Sequence, residues 1–390
     1  MYEFENKCKI LSGEKALESI PYELSIKKVN NPLIISEEVV ERVGFLKEIR
    51  KAFNYGNITV RSIFASVPNV ATTETIQKMH EKYVRDECDS IIAIGRNSVI
   101  NVAKALKYMI NNDISSIQEL QTKKSEERLE KTTLFIVPVY LGSGEEGTSK
   151  VKFFDLEKNI TYQIKNVLTQ ADAIFIDKRM VDILPKNLIV NLALYTIAIA
   201  ITSYLADNAN CLTQTYSITA LKLVLQNLPI IMSRKKTKKS DNIALIEAIV
   251  YAGIAKSETK ITILDVISSA LSNNKKISFE KVYETLFYNL LEKFIPNDAD
   301  VDELLIPFVG YDTLISTLKS SRPALLIGSI QSYMKNIFKQ GKIYNLESLG
   351  VERSDFSVIA EKTKFDKDAS KLDNEIEIQE IYEILEKSFK

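Results

Sequence analysis

Short apolar blocks alternate with segments of helical periodicity over the first half of the chain, and only the helical pattern continues through the second. Leu33-Ile34-Ile35 reads as a strand. Glu38 to Phe53 keeps helical spacing broken only at Gly44, and Ile58-Thr59-Val60 and Ile63-Phe64 follow as extended pieces. Thr72 to Val84 reads as a helix, Ile91 to Ile94 as a strand, and Val99 to Met109 as a helix. Leu134-Phe135-Ile136-Val137 and Ile174-Phe175-Ile176 are further strands, and between them Val151 to Phe154 and Ile160 to Ile164 pair as a hairpin. Strands separated by helices require right-handed crossovers, so the pattern predicts a mostly parallel sheet covered on both faces. That is the α/β, doubly wound, Rossmann-like layout of nucleotide-binding domains.

After Leu184-Pro185 the strand signals stop. Helical segments at 186–206, 211–228, 241–256, 261–272, 279–294, 301–319, 328–339 and 373–388 predict an all-α second half. The expected domains are therefore 1–180, α/β, and 181–390, all-helical. Residues 362–372 read as a charged, mobile link before the last helix. Arg234-Lys235-Lys236-Thr237-Lys238-Lys239 reads as a solvated loop, with no aromatic residues interleaved to suggest a nucleic-acid face.

Composition narrows the function classes. The chain has 390 residues, 51 basic and 51 acidic, so its formal net charge is zero, which argues against general nucleic-acid binding. Cys8, Cys88 and Cys211 are scattered and odd in number, which suits a reducing compartment better than a disulfide framework. The acidic residues of Met1 to Lys7 do not fit a secretion signal, and a cytoplasmic location is expected. Leu188 to Ala206 is uncharged and nearly long enough to cross a membrane, but Asn191, Thr196, Thr202 and Ser203 interrupt it. A helix buried inside the helical domain is the expectation, with no membrane partner.

Candidate chemistry starts at Asp89 to Lys104. A buried strand ends at Gly95, and the polar turn Arg96-Asn97-Ser98 leads into a helix. Such a junction aims backbone N–H groups and the positive end of a helix dipole at one point, which suits a phosphate.

Several landmarks, in order, resemble the iron-dependent (group III) alcohol dehydrogenases, whose fold is similar to that of dehydroquinate synthase. Ile35-Ser36-Glu37 resembles the family's strand end, where an acidic residue meets the adenosine ribose. Val67-Pro68-Asn69 is similar to its Pro-Asn turn, and Cys88 to Gly95 to its entry into a Gly-Gly-Gly-Ser-x-x-Asp-x-Ala-Lys motif. Val137 to Glu146 resembles Pro-Thr-Thr-Ala-Gly-Thr-Gly-Ser-Glu, and Ala252-Gly253-Ile254-Ala255 the helix before the metal histidines. The resemblance implies NAD(P) and a divalent metal in a cleft, alcohol or aldehyde oxidoreduction, and a homodimer. It implies cofactor-binding roles for Glu37, Gly95, Arg96, Asn97, Ser98, Gly142, Ser143 and Gly144.

The same resemblance exposes departures. The family holds its metal with an aspartate and three histidines. The first two of these positions fall here on Tyr195 and Ile199, the third on Asp265 and the fourth at about Phe279, with Ser269 at the additional cleft histidine. Asp265 alone could bind a metal, and Asp207 or Glu258 would have to join it to hold magnesium. His80 is the chain's one histidine, read as an ordinary surface residue, so no His-rich site can be assembled. No iron or zinc is expected, and NAD(P) stays open as a ligand. At the phosphate turn two glycines have become Arg96 and Asn97, and the family's aspartate has become Asn101. Arg96 either closes the site or grips an anion in it. The loop of Gly142, Gly144 and Gly147 is either a tight surface loop or a binding loop, with Glu145 added beside Glu146. Three functions follow: a non-catalytic member of the family, a nucleotide or anion sensor built on Arg96, or a metal-independent NAD(P) oxidoreductase. In the last, Tyr140 or Tyr195 would donate the proton, helped by Lys256 or Lys260.

Overall fold

The computed structural model describes residues 4–54, 58, 60, 62–122, 130–140, 142–158, 160–180, 186–233, 239–337, 344–365, 372 and 376–389. The chain divides into two compact units, Met1–Leu184 with Arg234–Ser257, and Pro185–Ser233 with Glu258–Lys390.

The first unit holds strands β1 (Lys9–Gly13), β2 (Pro32–Ser36), β3 (Ser62–Phe64), β4 (Ser90–Gly95), β5 (Thr133–Pro138), β6 (Lys150–Asp155), β7 (Ile160–Lys165) and β8 (Ala173–Asp177). Six of these form one parallel sheet in the order β1-β8-β5-β4-β2-β3, while β6 and β7 pair as an antiparallel hairpin. Helices α1 (Ile20–Ile26), α2 (Glu38–Arg42), α3 (Phe45–Phe53), α4 (Thr73–Arg85), α5 (Asn97–Asn111) and α6 (Ile117–Thr122) connect the strands. Every residue of β2, β4, β5 and β8 is buried, as expected of central parallel strands covered on both faces. Gly44, at φ 86°, ends the helical run at the point its pattern marked and starts α3.

One strand was missed by periodicity: β1 carries only Ile10 and Leu11 as apolar residues, and as an edge strand it is half-exposed. The extended piece expected at 58–60 includes residue 59, which lies outside the described residues, and the neighbouring strand begins at Ser62.

The second unit contains α7 (Lys186–Tyr204) and α8 (Cys211–Ser233), and α9 (Lys239–Glu258) belongs almost wholly to the first. A division at 180 would have put α9 with the helical half. It packs instead on the loop after β5, where a Cβ on Gly253 would lie 1.8 Å from the Gly144 carbonyl oxygen. Backbone meets backbone there, so only glycine fits.

In the helical unit follow α10 (Ile263–Lys275), α11 (Phe279–Asn289), α12 (Leu291–Phe294), α13 (Asp302–Val309), α14 (Tyr311–Ser316), α15 (Arg322–Ile337), α16 (Phe356–Lys364) and α17 (Ile378–Lys387). The run expected at 279–294 breaks at Leu290, and that at 301–319 breaks at Gly310, whose φ is 81°. Helix α15 begins earlier than its apolar spacing suggested because Pro323 fits a first helical turn. The charged link expected at 362–372 is helical as far as Lys364, and 366–371 lie outside the described residues, as do 234–238 of the basic loop. Among the described residues no helix is long and apolar enough to cross a membrane. Helix α7 is buried instead, from Ile189 at 1% exposure to Ser203 at 0%.

Candidate functional site

Register brings the first set of candidate residues together. Ser36 of β2 lies opposite Ile94 of β4, and Gly95 opposite Pro138 of β5, so three adjacent parallel strands end side by side. Their next residues, Glu37, Arg96 and Val139-Tyr140, therefore share one edge of the sheet. The chain runs from β2 outward to β3 and returns to place β4 on the other side of β2. The crevice between β2 and β4 is thus a topological switch point, where open α/β sheets bind ligands.

An ion pair spans that crevice. Arg96 Nε and Nη2 each donate to the Glu37 carboxylate at 3.4 Å, in the parallel fork that guanidinium and carboxylate favour. The Arg96 guanidinium also stands 5.4 Å from the centre of the Tyr140 ring. Tyr140 adopts φ 60°, a left-handed backbone that costs a bulky residue energy. Two contacts hold it there: its N–H donates to the Met180 carbonyl at 2.9 Å, and its ring meets Phe45 edge-on at 5.9 Å. Burial raises the Tyr140 hydroxyl above the ordinary phenol range, with Arg96 opposing in part. A general acid working near neutral pH needs the reverse shift.

Gly95 and Ser98 keep their places at the turn. A Cβ on Gly95 would come within 2.6 Å of Val99, so the glycine lets α5 start directly against the strand. Asn97 and Asn101 serve the helix: Asn101 Nδ2 donates to the Asn97 carbonyl and side chain, while Asn101 Oδ1 accepts from Lys152 N at 2.7 Å. That last bond ties α5 to the hairpin.

The loop after β5 is buried, contrary to the surface-loop reading, because α9 lies on it. Gly142 has φ 77°, and Ser143 donates from both N and Oγ to Glu146 Oε1, at 2.7 and 3.0 Å. Glu146 is fully buried, and burial pushes its carboxyl above the usual range. Beneath the loop, Lys104 is also fully buried, and its ammonium donates to the Glu145 and Thr148 carbonyls, to Thr148 Oγ1 and to the Lys150 carbonyl. Burial lowers Lys104 to about 8. The lysine is a fastener for the loop, and its charge is spent on main-chain oxygens.

The second set of candidates lies in the helical unit. Tyr195 on α7 meets Phe279 and Tyr283 of α11 edge-on, with ring centres 6.5 and 5.5 Å away, and the last two are 5.7 Å apart. The Tyr283 hydroxyl shares a hydrogen bond of 2.9 Å with Thr202, two turns beyond Tyr195 along α7. Ile199 is 1% exposed. Asp265 stands third in α10, where its Oδ2 accepts from Thr262 N and Oγ1, both at 2.8 Å, in a capping box. Two of the four positions thus carry packed rings, one an aliphatic chain, and the fourth a carboxylate engaged at a helix start. That donor set does not fit a catalytic divalent metal, which wants three or more nitrogen, oxygen or sulfur ligands. Among the described residues no three His, Cys, Asp or Glu side chains gather to hold an ion, Asp207 and Glu258 included. His80 is half-buried on α4 of the other unit, and burial lowers its pKa.

The sequence did not reveal Tyr283, the bonds of Glu146 to Ser143, or the pairing of Arg96 with Glu37. Tyr283 lies four residues from Phe279, one helical turn away, and that spacing was a usable signal.

Residues 8–178 match the family model described as iron-containing alcohol dehydrogenase. An alcohol dehydrogenase of Thermococcus barophilus is 28% identical over 236 residues, 58% of this chain and 60% of the relative, so this match spans about three-fifths of that protein's length. The NAD-dependent methanol dehydrogenase of Bacillus methanolicus is 22% identical over 359 residues, 89% of each chain. Among solved structures, an alcohol dehydrogenase from Oenococcus oeni superposes with a TM-score of 0.87 at 17% identity, covering 100% of both chains.

Proposed function

We propose that the chain is a non-catalytic member of the iron-containing alcohol dehydrogenase family, whose model residues 8–178 match, and that its metal site has been lost. The observation that carries this reading is the ring cluster of Tyr195, Phe279 and Tyr283 at positions from which the family's metal would be held. A metal in such a site polarises the alcohol oxygen so that hydride can leave the neighbouring carbon. Tyrosine, isoleucine and phenylalanine offer no equivalent Lewis acid. The test is alcohol oxidation by the full chain with NAD or NADP and added iron(II) or zinc. Turnover indistinguishable from the protein-free rate is expected, and metal-dependent turnover would overturn the reading.

The Glu37–Arg96 pair favours a closed or altered nucleotide crevice over an open one. In dinucleotide sites of this layout the acidic residue after the strand accepts a ribose hydroxyl, and here Arg96 occupies that carboxylate. Titration with NADH, followed by nicotinamide fluorescence, separates the readings. Arg96→Gly should bind NADH more tightly than the unmodified chain. Loss of binding in the variant would support an anion sensor built on Arg96 instead. The remaining alternative, a metal-independent NAD(P) oxidoreductase using Tyr140 or Tyr195, is disfavoured by the raised Tyr140 hydroxyl. From the family resemblance we also propose a cytoplasmic homodimer.

A further inference from the structure

Helix α15 has a glycine at its centre that its own structure does not require. Gly328 lies in helical backbone, and a Cβ built on it would meet nothing within 4 Å. Glycine inside a helix costs stability relative to alanine. Gly253 is excused by a backbone contact 1.8 Å away, but Gly328 has no such neighbour. What its missing side chain leaves is space, and that space is part of a pocket of about 480 Å³ within the helical unit, between α8, α13 and α15.

The volume lies within the range of small-molecule sites. Phe308 and Tyr333 meet edge-on at 6.1 Å and form an aromatic wall. Leu225, Pro307 and Leu325 add apolar surface, while Ser332 and Asn336 supply hydrogen-bonding groups on the exposed face of α15. Among the described residues no charged side chain lines the pocket. A charged ligand would lose water there without gaining a counter-charge, whereas a ring could lie on the aromatic wall with its polar group at the serine and asparagine.

We infer that this pocket is a binding site for a small, uncharged, ring-bearing molecule with a hydrogen-bonding group, separate from both candidate sites above. Gly328 is the residue that keeps it open, and the site lies wholly within the helical unit. The inference does not depend on whether the nucleotide crevice or the metal positions are active.

The probes are benzamide and phenol, followed by ligand-observed saturation-transfer NMR on the full chain. Millimolar, saturable binding of at least one probe is expected. Gly328→Leu should fill the pocket and weaken that binding about tenfold or more, since the new side chain takes the ligand's space. The variant should melt no lower than the unmodified chain, because leucine favours a helix and meets no neighbour at Cβ. Ser332→Ala, which leaves the volume, should weaken binding less. Failure of both probes to bind saturably, or equal binding in Gly328→Leu, would overturn the inference. So would a fall in oligomeric mass on Gly328→Leu, measured by light scattering, since the pocket would then be filled by a second copy of the chain.

Discussion

The Arg96 guanidinium reaches Glu37 because β2 and β4 are neighbours in register, and both residues are the first to leave their strands. Arg96 retains 37% side-chain exposure against 10% for Glu37, so the pair is worth at most about 1 kcal/mol and a phosphate-bearing ligand could compete for the arginine. A second residue whose chemistry depends on its surroundings is Glu284 on α11. It is 3% exposed, its Oε2 has no hydrogen-bond partner, and burial holds its carboxyl well above the ordinary range against the opposing pull of Lys281, with Glu280 adding to the rise. A carboxyl raised in the folded state contributes stability that is complete below the unfolded value and is lost as pH climbs through the folded one. Urea midpoints measured between about pH 5 and about pH 9 should therefore fall toward the alkaline end. Glu284→Gln should flatten that fall, and a parallel decline in the variant would place the titration elsewhere. The identity of Arg96 at a glycine position was legible in the sequence. Its partner was not, because the contact is made by register between two strands whose starts, Pro32 and Ser90, lie far apart in the sequence.

At the scale of elements, the central strands announced themselves because each is an unbroken apolar run buried on both faces. Strand β1 did not, since an edge strand needs few apolar residues, and helix breaks at Leu290 and Gly310 were hidden inside continuous helical spacing. Helix α9 was legible as a helix but not as part of the sheet's unit. Its allegiance rests on close packing that no periodicity encodes: Gly253 against Gly144, Ile249 against Gly142 and Ile254 against Gly147. Gly253→Ala should drive α9 off the buried loop and cost at least about 3 kcal/mol in urea unfolding. A loss below about 1 kcal/mol would mean that the helix does not press on the loop as described. The ring cluster joining α7 to α11 was half legible: Tyr195 and Phe279 came from the family's spacing, whereas Tyr283 and its bond to Thr202 needed the helices to be packed.

For the molecule as a whole, the proposal is that the fold has been kept while the family's metal chemistry has been lost. The parallel sheet has a switch-point crevice of the kind that binds ligands in open α/β sheets, yet here the crevice is bridged by its own ion pair and the glycine loop is clamped by α9 and Lys104. The positions that would hold a metal are filled by rings, an aliphatic chain and a capping carboxylate. Nothing in that arrangement needs an ion for its stability, because the rings pack on one another and Asp265 has partners at the start of its own helix. The most direct measurement is the metal content of the full chain after incubation with iron(II) or zinc and removal of loose ions by gel filtration, read by plasma mass spectrometry. Well below one ion per chain is expected for either metal; about one tightly held, slowly exchanging ion per chain would contradict the loss of the metal site.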